Sequence, residues 1–167
     1  MRRTDLFVGY SGETAEELFS YPAKGQHTAL VQAFREGIQR KAARMGDRAL
    51  SYEERVVLAV EALEQEVNNG GYDQFFCNSS RKCAPIIVDA LRHIGCKRTA
   101  KITQRAVHAL HLSTLSPAKI EAAMAKEKEE RDQELNRCDQ SFYRASQGIP
   151  KRLYAFIKAN RSRISFR

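Results

Sequence analysis

No run in this sequence approaches the roughly 20 consecutive apolar residues that a membrane-spanning helix requires, so no bilayer span is expected. The opening MRRTDLFVGYSGE holds too short an apolar run for a secretory h-region, and the expected location is the cytoplasm. Cysteine is scarce: Cys77, Cys83, Cys96 and Cys138 are four in 167 residues. Without a secretory signal they read as reduced, partly buried thiols and not as a disulfide scaffold. No CxxC knuckle occurs, since Cys77 and Cys83 stand too far apart. The pairs His93 with Cys96 and His108 with His111 lack an evident third ligand, so neither a metal nor a cofactor is expected. No activating signature surrounds any cysteine. A phosphate-cradling loop is missing too, because Asn68-Asn69-Gly70-Gly71 has no Lys-Ser/Thr continuation and comes after a helical pattern in place of a strand. Period-2 alternation of any length is absent, as are solenoid repeats and low-complexity linkers. The expectation is one all-α domain over residues 1–167 with about six to eight helices.

Charge is present in excess of one sign, and its placement matters more than its size. The net charge is +8, yet residues 1–150 carry 22 basic against 20 acidic residues, whereas 151–167 carry six basic and none acidic. The excess is Lys151, Arg152, Lys158, Arg161, Arg163 and Arg167, on a segment read as a basic C-terminal helix. Cations near a helix C-terminus complement the dipole and need no partner. The alternative is weak, sequence-independent nucleic-acid binding through these six residues.

Helical periodicity fills most of the remaining chain. Leu30, Phe34, Ile38 and Ala42 recur four apart before Gly46. Ser51 stands three before Glu54 as a capping box, and Val56, Val60, Leu63 and Val67 come after it at helical spacing. Pro85 opens a helix bearing Ile87, Ala90, Leu91 and Ile94, and Ile102, Ala106, Ala109 and Leu110 mark the next. Ser116 and Pro117 start what reads as one long solvated helix, laced by the pairs Lys126–Glu130 and Glu127–Arg131. Gly148 and Pro150 precede a last helix with Leu153, Phe156 and Ile157 on its apolar side. Residues 1–26 are less regular, with Ser11 or Thr14 placed to cap a short helix over Ala15 to Phe19.

One stretch breaks the pattern: residues 66–80, EVNNGGYDQFFCNSS. Asn68 and Asn69 suit a helix end, Gly70 a left-handed closure, and Gly71 a reversal without Cβ clashes. Tyr72, Phe75 and Phe76 are spaced to anchor a turn in the core, Gln74 to satisfy a free backbone group, and Asn78, Ser79 or Ser80 to cap the next helix. The favoured reading is a structural helix–helix corner. Its chemical alternative is an amide and carboxylate site around Glu66, Asn69, Asp73 and Gln74.

That motif, with LSYEERVVLAVEALEQ before it, APIIVDALRHIGCKRTAKITQRAVHAL after it, and the shorter CDQSFY and LYAFIKAN, resembles a family of small helical proteins of unknown function named after a bacterial DNA-mimic protein. The resemblance covers most of the chain and implies an all-α fold, with no catalytic residues to carry over. A surface that imitates DNA needs carboxylates at phosphate-like spacing. With 28 basic against 20 acidic residues, this chain departs from that requirement, and DNA mimicry is not expected of it. Glu53, Glu54, Glu61, Glu64 and Glu66 form an acidic strip that reads as a solvated helix face. The functional expectation is a non-enzymatic helical module that binds a protein partner.

Overall fold

Every regular element in the described residues, 6–166 of a computed structural model, is helical. Eight α-helices occur in order: α1 (Ala15–Phe19), α2 (His27–Met45), α3 (Tyr52–Cys77), α4 (Ala84–His93), α5 (Lys97–His108), α6 (Pro117–Met124), α7 (Glu129–Ala145) and α8 (Ile149–Ala159). Short 3-10 turns cover Asp47–Ala49, Ser79–Cys83 and Arg161–Arg163. The all-α expectation and the number of helices both hold. No helix among the described residues is long and apolar enough to cross a membrane. Two compact units divide the chain, one running to Leu58 and resuming at Ile149, the other spanning Ala59–Gly148.

In the first unit two of the helix-boundary signals of the sequence are met. Thr14 and Glu17 make a reciprocal capping box at α1, and Gly46 ends α2 with φ 83°. The stripe of α2 buries Leu30, Phe34 and Ile38 completely. Phe34 gathers three rings, with centroids at 4.9 Å for Phe19, 5.8 Å for Phe166 and 6.5 Å for Tyr154. Edge-on and tilted arrangements of this kind add to the area that the rings bury.

The C-terminal segment departs from the helix expected over 151–167. α8 stops at Ala159, and after the Arg161–Arg163 turn the chain is extended, with Ile164 and Phe166 buried. The cause is the alternation of Ile164 and Phe166, two apolar side chains on one side of a strand-like stretch, which a helix would point in different directions. Phe166 fills the space over Gly37, where a Cβ would collide with its ring.

Glu54 fastens this return. Its carboxylate is completely buried and accepts from Ser51 N at 2.9 Å, from Ser165 N at 3.0 Å, and from Lys41 Nζ at 2.9 Å to each oxygen. Ser51 Oγ accepts in turn from Glu54 N, so the expected capping box is present. A buried carboxylate is tolerable only when it is paired and hydrogen-bonded to this extent. The acidic strip is therefore not a solvated face: Glu54 and Glu61 are both buried.

In the second unit α4 packs on α5 and α5 on α7. Leu63, Val67, Ile87, Leu91, Ala106, Ile120, Cys138 and Phe142 are fully buried, as are Tyr72, Phe75 and Phe76. The long solvated helix expected after Ser116 is instead two. α6 ends at Met124, α7 starts at Glu129, and the pairs Lys126–Glu130 and Glu127–Arg131 are not made across the break. No apolar residue from Ala125 to Glu130 is large enough to hold a straight helix against the core. Arg131, read as half of a surface pair, is buried and donates to the Ala123 carbonyl at 2.6 Å, closing the end of α6. Its remaining donors face Asp132 at 2.7 to 2.8 Å.

Candidate functional site

The EVNNGGYDQFFCNSS stretch is a break inside α3, and the helix resumes after it. Only Gly70 (φ −150°, ψ 19°) and Gly71 (φ 77°, ψ −176°) leave helical geometry. The left-handed residue is Gly71 and not Gly70, the glycine that the sequence suggests. Its combination of positive φ with ψ near 180° is essentially restricted to glycine. Restarting a helix frees backbone N–H groups at the new start, and here the cap comes from a distant residue. Asp139 on α7 accepts from Tyr72 N at 2.7 Å, and its carboxylate occupies the space where a Cβ on Gly71 would lie.

Three further ties fix the break. Tyr143 donates its hydroxyl to the Val67 carbonyl at 3.0 Å. Tyr72 and Thr103 share a buried hydrogen bond of 2.7 Å between their hydroxyls. Tyr72 also meets the Phe142 ring edge-on at 5.9 Å and stacks near Phe76 at 6.3 Å. Burial pushes the Tyr72 phenol above its ordinary range, so it stays protonated as a hydrogen-bonding group. Asp139 is also raised, first by desolvation and then by Asp73, against the lowering effect of the Tyr72 N–H. The segment CDQSFY thus supplies the partners of NNGGY through Asp139, Phe142 and Tyr143. Their roles escaped sequence reasoning because 67 or more residues separate the two.

The amide and carboxylate group read from the sequence is brought together only in part. Glu66 accepts from Gln74 Nε2 at 2.6 Å and from Asn78 Nδ2 at 3.0 Å, bracing the helix across its break. Asn78 stands at the start of the 3-10 turn but makes no side-chain cap there, since its amide is committed to Glu66. Ser80 donates instead to the Phe75 carbonyl at 2.8 Å. Ser79 is exposed. Asn69 and Asp73 are exposed and do not join the Glu66 group; the Asp73 carboxylate lies 3.9 Å from the Cys77 thiol, which burial and Asp73 push upward.

Asn68 and Asn69 stand out against this background. Both are exposed, and neither side-chain amide has a hydrogen-bond partner among the described residues. They adjoin Val67, whose carbonyl anchors the Tyr143 hydroxyl, and the Tyr143 ring is 40% exposed.

Cys83, Cys96 and Cys138 are buried, Cys77 is exposed, and none of the four is in a disulfide; burial pushes Cys138 up to about 11. Among the described residues no three His, Cys, Asp or Glu side chains are placed to share a metal ion. Of the six basic C-terminal residues, Arg161 is paired with Glu16 and lies over the Phe19 ring, and Arg163 faces Glu53 at 3.6 Å. Lys151, Arg152 and Lys158 are exposed with no carboxylate partner among the described residues, and Arg167 lies outside those residues.

No curated protein and no solved structure matches the chain. The family model described as DMP19-like protein matches residues 48–160, which contain the glycine break, both of its tyrosine anchors and the Asp139 cap. A match over that share of the sequence, on the segments that build the break, places this chain in the DMP19-like protein family.

Proposed function

We propose that the chain is a non-enzymatic interaction module that binds a protein partner through the surface of the glycine break. The observation that carries this reading is the pair of unpartnered amides at Asn68 and Asn69 next to the half-exposed Tyr143 ring. Asparagine at a helix end is suited to bond the backbone groups that the end leaves free. Neither side chain is used in that way by the fold. Tyrosine is among the residues that dominate protein interfaces, because one end is apolar and the other hydrogen-bonds. The surface is also held firmly from behind, by Asp139, Thr103 and the Tyr143 hydroxyl. A preorganised surface loses little freedom on binding.

The test is affinity capture from the native cell with the intact chain and with an Asn68→Arg, Asn69→Arg double variant. Arginine is a better helix former than asparagine, so the variant keeps its fold. The expected result is a protein recovered by the wild type and depleted about tenfold or more by the variant, equivalent to about 1.4 kcal/mol. Equal recovery by both chains would remove the break as the binding surface.

A further inference from the structure

A cleft of about 330 Å³ opens between the end of α5, α6 and the start of α7. Lys119, Lys126, Lys128, Arg131 and His111 line it with no carboxylate, over an apolar floor of Leu110, Ala122 and Ala123. Arg131 is neutralised by Asp132, and Lys119 Nζ donates to Thr114 Oγ1 at 2.6 Å. Lys126 and Lys128 are exposed and have no carboxylate partner among the described residues. A second cavity of about 310 Å³ lies beside it, sharing the His111 and Arg131 walls, and the two together are called the trough. Its far end is mixed in sign: Arg105 and Arg137 both bond Glu134, and Glu130 adds another carboxylate.

We infer that this trough docks an extended acidic segment of a protein partner, with its carboxylates at the Lys126 and Lys128 end and an apolar side chain on the floor. The inference rests on the reading of the chain as a protein-binding module. Charge complementarity selects the occupant. The lysine end is cationic and unpaired, so it attracts carboxylates and rejects basic segments. The apolar floor beside the lysines suits a side chain of a peptide better than a compact ion. A nucleic-acid strand, charged at every phosphate, would bring that charge against Glu130 at the far end. A peptide can end its acidic run before it reaches that point.

The experiment uses the full chain and a fluorescently labelled peptide of Glu and Ala residues around a single Leu, monitored by anisotropy. Controls are the same peptide with Gln for Glu, a labelled DNA duplex, and a Lys126→Glu, Lys128→Glu double variant. Both lysines are exposed, so the melting temperature of the variant should be unchanged. Binding of the acidic peptide should weaken about tenfold in the variant and about tenfold when Gln replaces Glu. Equal binding by wild type and variant, or by the two peptides, overturns the inference. Tighter binding of the duplex through the same lysines overturns the choice of occupant. Capture from the native cell separates the two proposals. A protein lost with the asparagine variant but kept with the lysine variant sinks the trough alone. Acidic-peptide binding that depends on the lysines, with no captured protein responding to the asparagines, sinks the surface of the break alone.

Discussion

At the scale of single residues, two adjacent glycines have different tasks, and their variants should differ accordingly. Gly71 holds a backbone conformation that costs other residues on the order of 1–3 kcal/mol, and a Cβ there would displace the Asp139 carboxylate from Tyr72 N. Gly71→Ala is therefore expected to lower stability by about 3 kcal/mol once the lost cap is included. Gly70 has a negative φ of −150°, outside the left-handed region, and the nearest atoms that a Cβ would meet belong to the Gln74 side chain. Gly70→Ala should cost about 1 kcal/mol, the value of a disturbed hydrogen bond. Urea denaturation with unchanged m-values would measure both, and an equal loss for the two variants would contradict this assignment. Phe75, fully buried, should cost about 3–5 kcal/mol on truncation to alanine. Sequence alone exposed the glycine pair and the buried rings because both are local signals. It assigned the positive φ to the wrong glycine because the deciding contact, Asp139, lies on another helix.

At the scale of elements, local capping and periodicity made α1, α2, the start of α3 and α4 legible, since Thr14, Gly46, Ser51 and Pro85 act within a few residues of their own helix, whereas the resumption of α3 after its glycines was read as a corner. The boundary between α6 and α7 was not legible, because charges four apart look the same on a straight helix as in a sequence that bends. The deciding bond, from Arg131 to the Ala123 carbonyl, exists only after the bend. The C-terminal helix was overextended for a similar reason, as the partners of Ile164 to Phe166 belong to α2 and α3. Along α3 the acidic strip also carries a pH dependence. Burial first, and Glu61 second, push Glu64 up to about 7. Its folded value lies above the unfolded one, so the folded state binds the extra proton. The associated stability is fully present below the ordinary glutamate range, near pH 4.3, and is lost as pH rises through about 7. The loss should reach at most about 4 kcal/mol. Glu64→Gln should flatten the stability profile between pH 5 and 8, roughly the span of this shift, and raise stability at its upper end. A profile that keeps its slope in the variant would assign the effect to another group.

At the scale of the whole molecule, the net charge of +8 overstates what is free to act. The dipole argument for the basic terminus holds for Lys158, in the last turn of α8, but Lys151 and Arg152 lie in its first turn, where cations are unfavourable. Those two, with Lys158, are the C-terminal cations left without a carboxylate among the described residues, since Arg161 and Arg163 face Glu16 and Glu53. Each phosphate neutralised on duplex DNA contributes about −0.9 to the slope of log affinity against log salt. Among the described residues of this segment, three such cations contribute near −2.7, shallower than the six basic residues in the sequence suggest. A salt titration of duplex binding through this segment should find a slope near this value. Lys151→Glu with Arg152→Glu should abolish most of it, whereas Arg163→Gln should leave it unchanged because that side chain already faces a carboxylate. A slope near −5 would require Arg161 and Arg163 to leave their partners for phosphate. In that case the tail that returns Ser165 to Glu54 would serve nucleic acid as well as the fold.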